Sequence, residues 1–147
     1  AHWVIFLHVM GMFVPSFFTG NLINRYGTLR IMALGVIVFL LGVVAALGGE
    51  SEWHFRFALT LNGIGWNFLF IGATTLVTTC YRASERGKTQ ALNDFLVFGT
   101  TATSSFLAGY LHEHFGWAPL NWFSVALLVA ATLALVWLKF QREPQPA

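Results

Sequence analysis

From Ile31 to Gly49 the chain carries no Ser, Thr, Asn, Gln or charged side chain. As a helix that stretch is about 28 Å long, close to the roughly 30 Å hydrocarbon core of a bilayer. A soluble domain has no place to hide such a segment on all sides, so it sets the class of the whole chain. Four more runs approach the same length. The sequence predicts spans over about 3–23, 31–49, 57–79, 84–111 and 119–138, followed by a polar tail over 139–147. Composition agrees: charged residues make up 10% of the 147 positions and mean hydropathy is +0.67. Soluble domains carry about a quarter charged residues. The expected fold is all-α and polytopic, and the lack of alternating polarity speaks against a β-barrel.

Pro15 falls inside the first run. Membrane helices tolerate such a break when neighbouring groups satisfy the freed carbonyl. The chain opens in mid-apolar sequence, Ala-His-Trp-Val, with no charged region ahead of it, so it reads as a piece of a longer protein and not as a signal peptide. One cysteine, Cys80, permits no internal disulfide. The basic residues are spread between apolar runs and form no patch, so a nucleic-acid partner is not expected.

Charge placement supplies sidedness. Arg25, Arg30, Arg82, Arg86, Lys88, Lys139 and Arg142 share one set of turns, while Glu50, Glu52, Arg56, His112, Glu113 and His114 occupy the other. The positive-inside rule places the first set, and with it the C-terminus, in the cytoplasm. Trp3, Trp53, Trp117, Trp122 and Trp137 stand near span ends, where interfacial anchors belong.

The first basic turn reads Gly20-Asn-Leu-Ile-Asn-Arg-Tyr-Gly-Thr-Leu-Arg30. Gly20 would permit close helix approach, Gly27 a tight turn, and Arg25 and Arg30 would place cations near helix ends. The turn resembles the loop signature of the major facilitator superfamily, G-x-L-x-D-R-x-G-x-x-R, matching at Gly20, Leu22, Arg25, Gly27 and Arg30. Asn24 stands where the family most often has Asp. The second basic turn, Tyr81 to Gln90, resembles the loop between the fourth and fifth helices of each half, with Ser84 as an expected N-cap and Arg86 on the gate side.

That resemblance implies five helices of a twelve-helix, two-bundle carrier. Leu59 stands where the first half usually has Arg, and the fourth run has no Gly-Pro pair. Both points, with Asn24, assign the chain to the eighth to twelfth helices. The implied activity is secondary transport of a small solute by alternating access, coupled to protons or another ion. The implied partners are that solute, the bilayer and the N-terminal bundle of the same protein. A carrier half that only assembles in the membrane, moving nothing, is the alternative.

Polar content sorts the helices. The second and fifth runs read as lipid-facing. The third holds Asn62, Trp66 and Asn67. The fourth carries a stripe of Gln90, Asp94, Val97, Thr101, Ser104 and Ala108, with Asn93 beside it. Asp94 is the acidic residue at membrane depth, where a carboxylate is paired or functional. It is either a gate residue paired with Arg25 or backbone, or a group that meets the solute or the coupled proton. Trp66 and Asn67 offer an aromatic face and an amide, for a solute or for another helix. His8 can contact solute or serve in packing. No catalytic constellation, phosphate loop or metal-ligand spacing is present, so neither an enzyme nor a cofactor is expected. His112 and His114 flank Glu113 in what reads as a solvated turn.

Overall fold

The computed structural model describes residues 2–49 and 51–142; Glu50 and the tail from 143 lie outside them. Six α-helices follow one another: α1 (His2–Phe13), α2 (Ser16–Tyr26), α3 (Thr28–Leu47), α4 (Glu52–Thr78), α5 (Arg86–Phe115) and α6 (Trp117–Arg142), with a 3₁₀ turn over Ala83–Glu85. Helices α1 and α2 are two halves of the first span, parted at Val14 and Pro15. The stretches His2–Tyr26, Thr28–Leu47, Glu52–Thr78 and Trp117–Gln141 are long and apolar enough to cross a membrane. Helix α5 is also long enough, at 30 residues, but Arg86, Lys88, Asp94 and its hydroxyl residues leave it more polar than the other four.

The helices form a row. Helices α1 and α2 pack on α4, α4 on α3, α3 on α6, and α6 on α5. Parallel passage of α1 and α4 is visible in their contacts, since His8 meets Leu59 while Thr19 meets Asn67. The seam between these two helices depends on small residues. A Cβ at Gly63 would run into the His8 carbonyl and come within 3.1 Å of the Met12 nitrogen. Gly11, on the facing helix, would put its own Cβ 2.7 Å from the Thr60 carbonyl. In lipid there is no hydrophobic drive between helices, so such backbone proximity, with its dispersion contacts, is what holds them.

The same logic corrects the expectation for the second span. With no polar side chain it reads as a helix facing lipid, yet Ile31, Met32, Gly35, Val36, Gly42, Val43 and Ala46 are buried. The period of this set is helical, and it lies against α4, where Gly42 sits on Asn62 and Ala58. Only the opposite face, with Leu34, Ile37, Leu41 and Val44, points outward. Helix α6 does fit the lipid-facing reading, with Asn121 and Leu128 as its buried residues. Its first residue, Trp117, does more than anchor an interface: its indole N–H donates to the Ala46 carbonyl at 3.2 Å and its ring meets Phe55 edge-on.

Helix ends follow backbone chemistry more closely than polarity. Helix α5 continues through His112 and His114 and stops at Gly116, whose φ is +83°. Glu85 stands at its N-cap position without a side-chain bond to the helix, and its carboxylate instead accepts from the Arg82 N–H ahead of the 3₁₀ turn, at 3.4 Å. Ser84, the residue expected to cap, lies inside the 3₁₀ turn instead. A glutamate reaching back to the residue three before it is one half of a capping box, and that box closes the 3₁₀ turn leading into α5.

Candidate functional site

Pro15 has no N–H, so the first span loses a backbone bond at its centre. The repair comes from α4. Asn67 is 1% exposed and Thr19 0%, although both are polar. The Asn67 amide N–H groups donate to the Met12 carbonyl and to Ser16 Oγ, each at 2.6 Å. Its oxygen accepts from the Thr19 hydroxyl at 2.6 Å, a hydrogen that Thr19 shares with the Pro15 carbonyl at 2.8 Å. Because Met12 presents a carbonyl, which only accepts, the amide orientation is fixed. Both donors and the acceptor of Asn67 are therefore engaged, and the side chain acts as a clamp across the break. Sequence reading singled out Asn67 but missed Ser16, Thr19 and Met12. The available signal was the Ser-x-x-Thr pair immediately after Pro15.

His8 belongs to the same seam. It is half-buried, and its Nδ1 lies 2.8 Å from the Leu59 carbonyl, which makes that nitrogen the protonated one. The bond is an interhelical tie of the packing kind. Trp66 projects from the adjacent face of α4 and stacks on Phe70, with ring centroids 4.6 Å apart and planes 9° from parallel. Phe70 is 38% exposed, so this aromatic pair is open on one side.

The basic turn is a hinge of one residue. Gly27 has φ +90° and ψ 149°, a backbone region essentially closed to other residues. Its N–H closes α2 on the Ile23 carbonyl at 2.8 Å, and α3 begins at the next residue. Leu22 packs on a small core of Ile23, Ile31 and Phe68, which locks the turn to α4. Arg25 lies over the Tyr26 ring at 5.4 Å. Gly20 departs from expectation: a Cβ there would meet nothing within 4 Å, because the residue lies on the exposed side of α2 and the close approaches occur at Gly11 and Gly63. Replacing Gly27 by alanine should therefore cost about 1–3 kcal/mol, whereas Gly20→Ala, at an open position inside α2, should leave the thermal midpoint unchanged or raise it. Thermal unfolding of the two variants of the full-length protein checks this ranking.

Asp94 and Asn93 stand apart from the hinge. Helix α5 touches α6 and the 3₁₀ turn, and no residue within it is buried. Asp94 is exposed, and its carboxylate accepts from the Asn93 amide at 3.4 Å. Among the described residues the one ion pair joins Arg56 to Glu52, so Asp94 and Arg25 are not paired. Asn24 makes no bond to Ser84, since α2 meets neither the 3₁₀ turn that holds Ser84 nor α5. Arg86, at the first turn of α5, is exposed as well. The structure thus splits the sequence candidates into a clamped seam (His8, Asn67), a hinge (Gly20 to Arg30) and an open polar stripe (Asp94). Among the described residues no three His, Cys, Asp or Glu side chains gather as metal ligands.

The family model of the Major Facilitator Superfamily matches residues 1–147. The chain belongs to that superfamily. Among its curated relatives, the riboflavin transporter RfnT of Brucella anthropi is 51% identical over 130 residues, which is 87% of this chain and 33% of the relative. The uncharacterised transporter YdeG of Bacillus subtilis is 33% identical over 136 residues, 91% of this chain and 32% of the relative. The riboflavin transporter RibZ of Clostridioides difficile is 20% identical over 142 residues, 97% of this chain and 31% of the relative. No solved structure matches. The chain spans about a third of the length of these relatives. It is a multi-pass integral membrane chain of a transporter superfamily, and these relatives are transporters and not enzymes.

Proposed function

We propose that this chain forms the eighth to twelfth helices of a secondary active carrier for riboflavin or a solute of closely similar chemistry. The observation that carries the solute is the 51% identity over 130 residues to a protein named as a riboflavin transporter. On this reading the full-length protein works by alternating access, the N-terminal bundle of the same protein supplies the other wall of the pathway, and the basic end faces the cytoplasm.

Riboflavin chemistry pairs a flat aromatic ring with a polar rim and a hydroxylated tail. The open Trp66–Phe70 stack offers a face for such a ring, since aromatic surfaces stack in offset geometry at little conformational cost. The exposed polar stripe of α5, with the Asp94 carboxylate and the Ser104 hydroxyl, offers partners for hydroxyls. Asn67 drops out as a solute ligand because both its donors and its acceptor are engaged within the bundle, whereas His8 has its Nδ1 engaged with the Leu59 carbonyl.

The test is uptake of labelled riboflavin by cells that lack their own uptake route and express the full-length protein. Saturable uptake is expected, with Trp66→Ala raising KM. Asp94→Asn should lower uptake at least about tenfold, equivalent to some 1.4 kcal/mol, and flatten its pH profile. Uptake no higher than in empty cells would end the solute assignment. Normal uptake and an unchanged pH profile in Asp94→Asn would end the coupling role alone.

A further inference from the structure

A groove with a cavity volume of about 1020 Å3 runs between α3 and α6, starting at the Gly27 hinge. Its residues separate by depth. Arg25, Arg30 and Lys139 stand at its mouth with Tyr26 and Thr28, while Val36, Leu40 and Val136 are among its deeper walls. Among the described residues no carboxylate lines it. The deep polar residue Thr132 spends its hydroxyl hydrogen on the Leu128 carbonyl of its own helix at 2.7 Å, so the interior is effectively apolar.

We infer that this groove holds one phospholipid with an anionic headgroup, its phosphate at Arg25, Arg30 and Lys139 and an acyl chain along α3 and α6. The dimensions fit one leaflet. From Arg30 to Leu40 is ten residues, roughly 15 Å of helix rise and about half the hydrocarbon thickness. Charge also fits. Asn24 is an amide beside Arg25, and the one ion pair among the described residues is at the other end of the bundle, Arg56 with Glu52. Arg25 and Arg30 are thus cations without a carboxylate partner at an apolar groove, and a guanidinium pairs with phosphate through two parallel hydrogen bonds. Basic pockets between membrane helices recognise anionic headgroups by this combination. The solute pathway does not compete for the site, because the outward faces of α3 and α6 offer almost no polar side chain. The inference rests on membrane insertion and is independent of which solute is carried.

Native mass spectrometry of the full-length protein in mild detergent tests the site, with phosphatidylglycerol and phosphatidylcholine of matched chains as probes. Phosphatidylglycerol should be retained about tenfold better, a conservative figure for three cations near a lipid phosphate. The triple variant Arg25→Gln, Arg30→Gln, Lys139→Gln should lose that preference, and Lys139→Gln alone should reduce it if the triple variant does not fold. Val36→Trp, which fills the groove and leaves the cations, should lower retention. Arg56→Gln should change nothing, and excess inorganic phosphate should not displace the lipid. Equal retention of the two lipids by the unaltered protein overturns the inference. So does preference persisting without the cations, or displacement by free phosphate.

Discussion

Replacing Gly63 by leucine should abolish folded protein, seen as loss of the monodisperse peak when the full-length protein is extracted in mild detergent. The three atoms nearest the new Cβ are all backbone of α1: the His8 carbonyl, the Met12 nitrogen at 3.1 Å and the Gly11 carbonyl carbon at 3.2 Å. Overpacking usually costs about 1–3 kcal/mol because side chains turn aside. Backbone cannot do so, and α1 would have to lift off α4. That movement would also break the His8–Leu59 bond and the Asn67 clamp, so the losses compound. Gly63→Ala should give a smaller loss of the same kind. A Gly63→Leu protein that is monodisperse and melts with the parent would show that the seam is not the support argued here.

Asn67→Leu should have the second largest effect. Leucine keeps nearly the same volume but removes three hydrogen bonds, two of them to groups at the Pro15 break. Interhelical hydrogen bonds in membranes average about 0.6 kcal/mol, which gives a lower bound of roughly 2 kcal/mol for the three. The Met12 carbonyl would lose its α4 donor inside an apolar seam, and an orphaned buried group raises the cost by about 1–3 kcal/mol. Thr19 would keep its bond to the Pro15 carbonyl, so the loss is less than total. The expected result is a lower melting temperature together with faster amide exchange over residues 11–19. A solute ligand would behave differently, with KM raised and melting unchanged, and that outcome would overturn the clamp.

The two experiments probe a seam that was only half legible beforehand. Composition and run length sufficed for the membrane class and the all-α fold, because burying nineteen consecutive apolar residues has few solutions other than a bilayer. The Gly20–Arg30 register was enough for the superfamily, since the glycine at 27 must adopt a positive φ wherever the chain reverses in one residue. Asn67 was visible as a polar residue at membrane depth, but its role was not. A side chain's partners depend on which helix it faces, and α1 and α4 are brought together from some fifty positions apart.

Local sequence rules were weakest where a single residue type has two uses. Gly20 and Gly63 look alike in the sequence, yet one opens onto empty space and the other onto a neighbouring backbone. Ser84 carries the chemistry of a cap, but Glu85 occupies the position that needs one. Ile31–Gly49 gave no polar mark of a buried face because its seam is made by the absence of side chain, at Gly35 and Gly42.

By itself, then, the sequence determined that the chain spans a membrane repeatedly, which superfamily it belongs to, and where the basic turns lie. These are properties of length, polarity and register along one strand of chain, and no folding is needed to read them. Tertiary structure decided that Asn67 repairs the proline break, that α3 is a packed helix with one free face, and that Arg25, Arg30 and Lys139 share one groove. Each of those facts joins residues distant in sequence, and only the packing of helix on helix brings their side chains within reach.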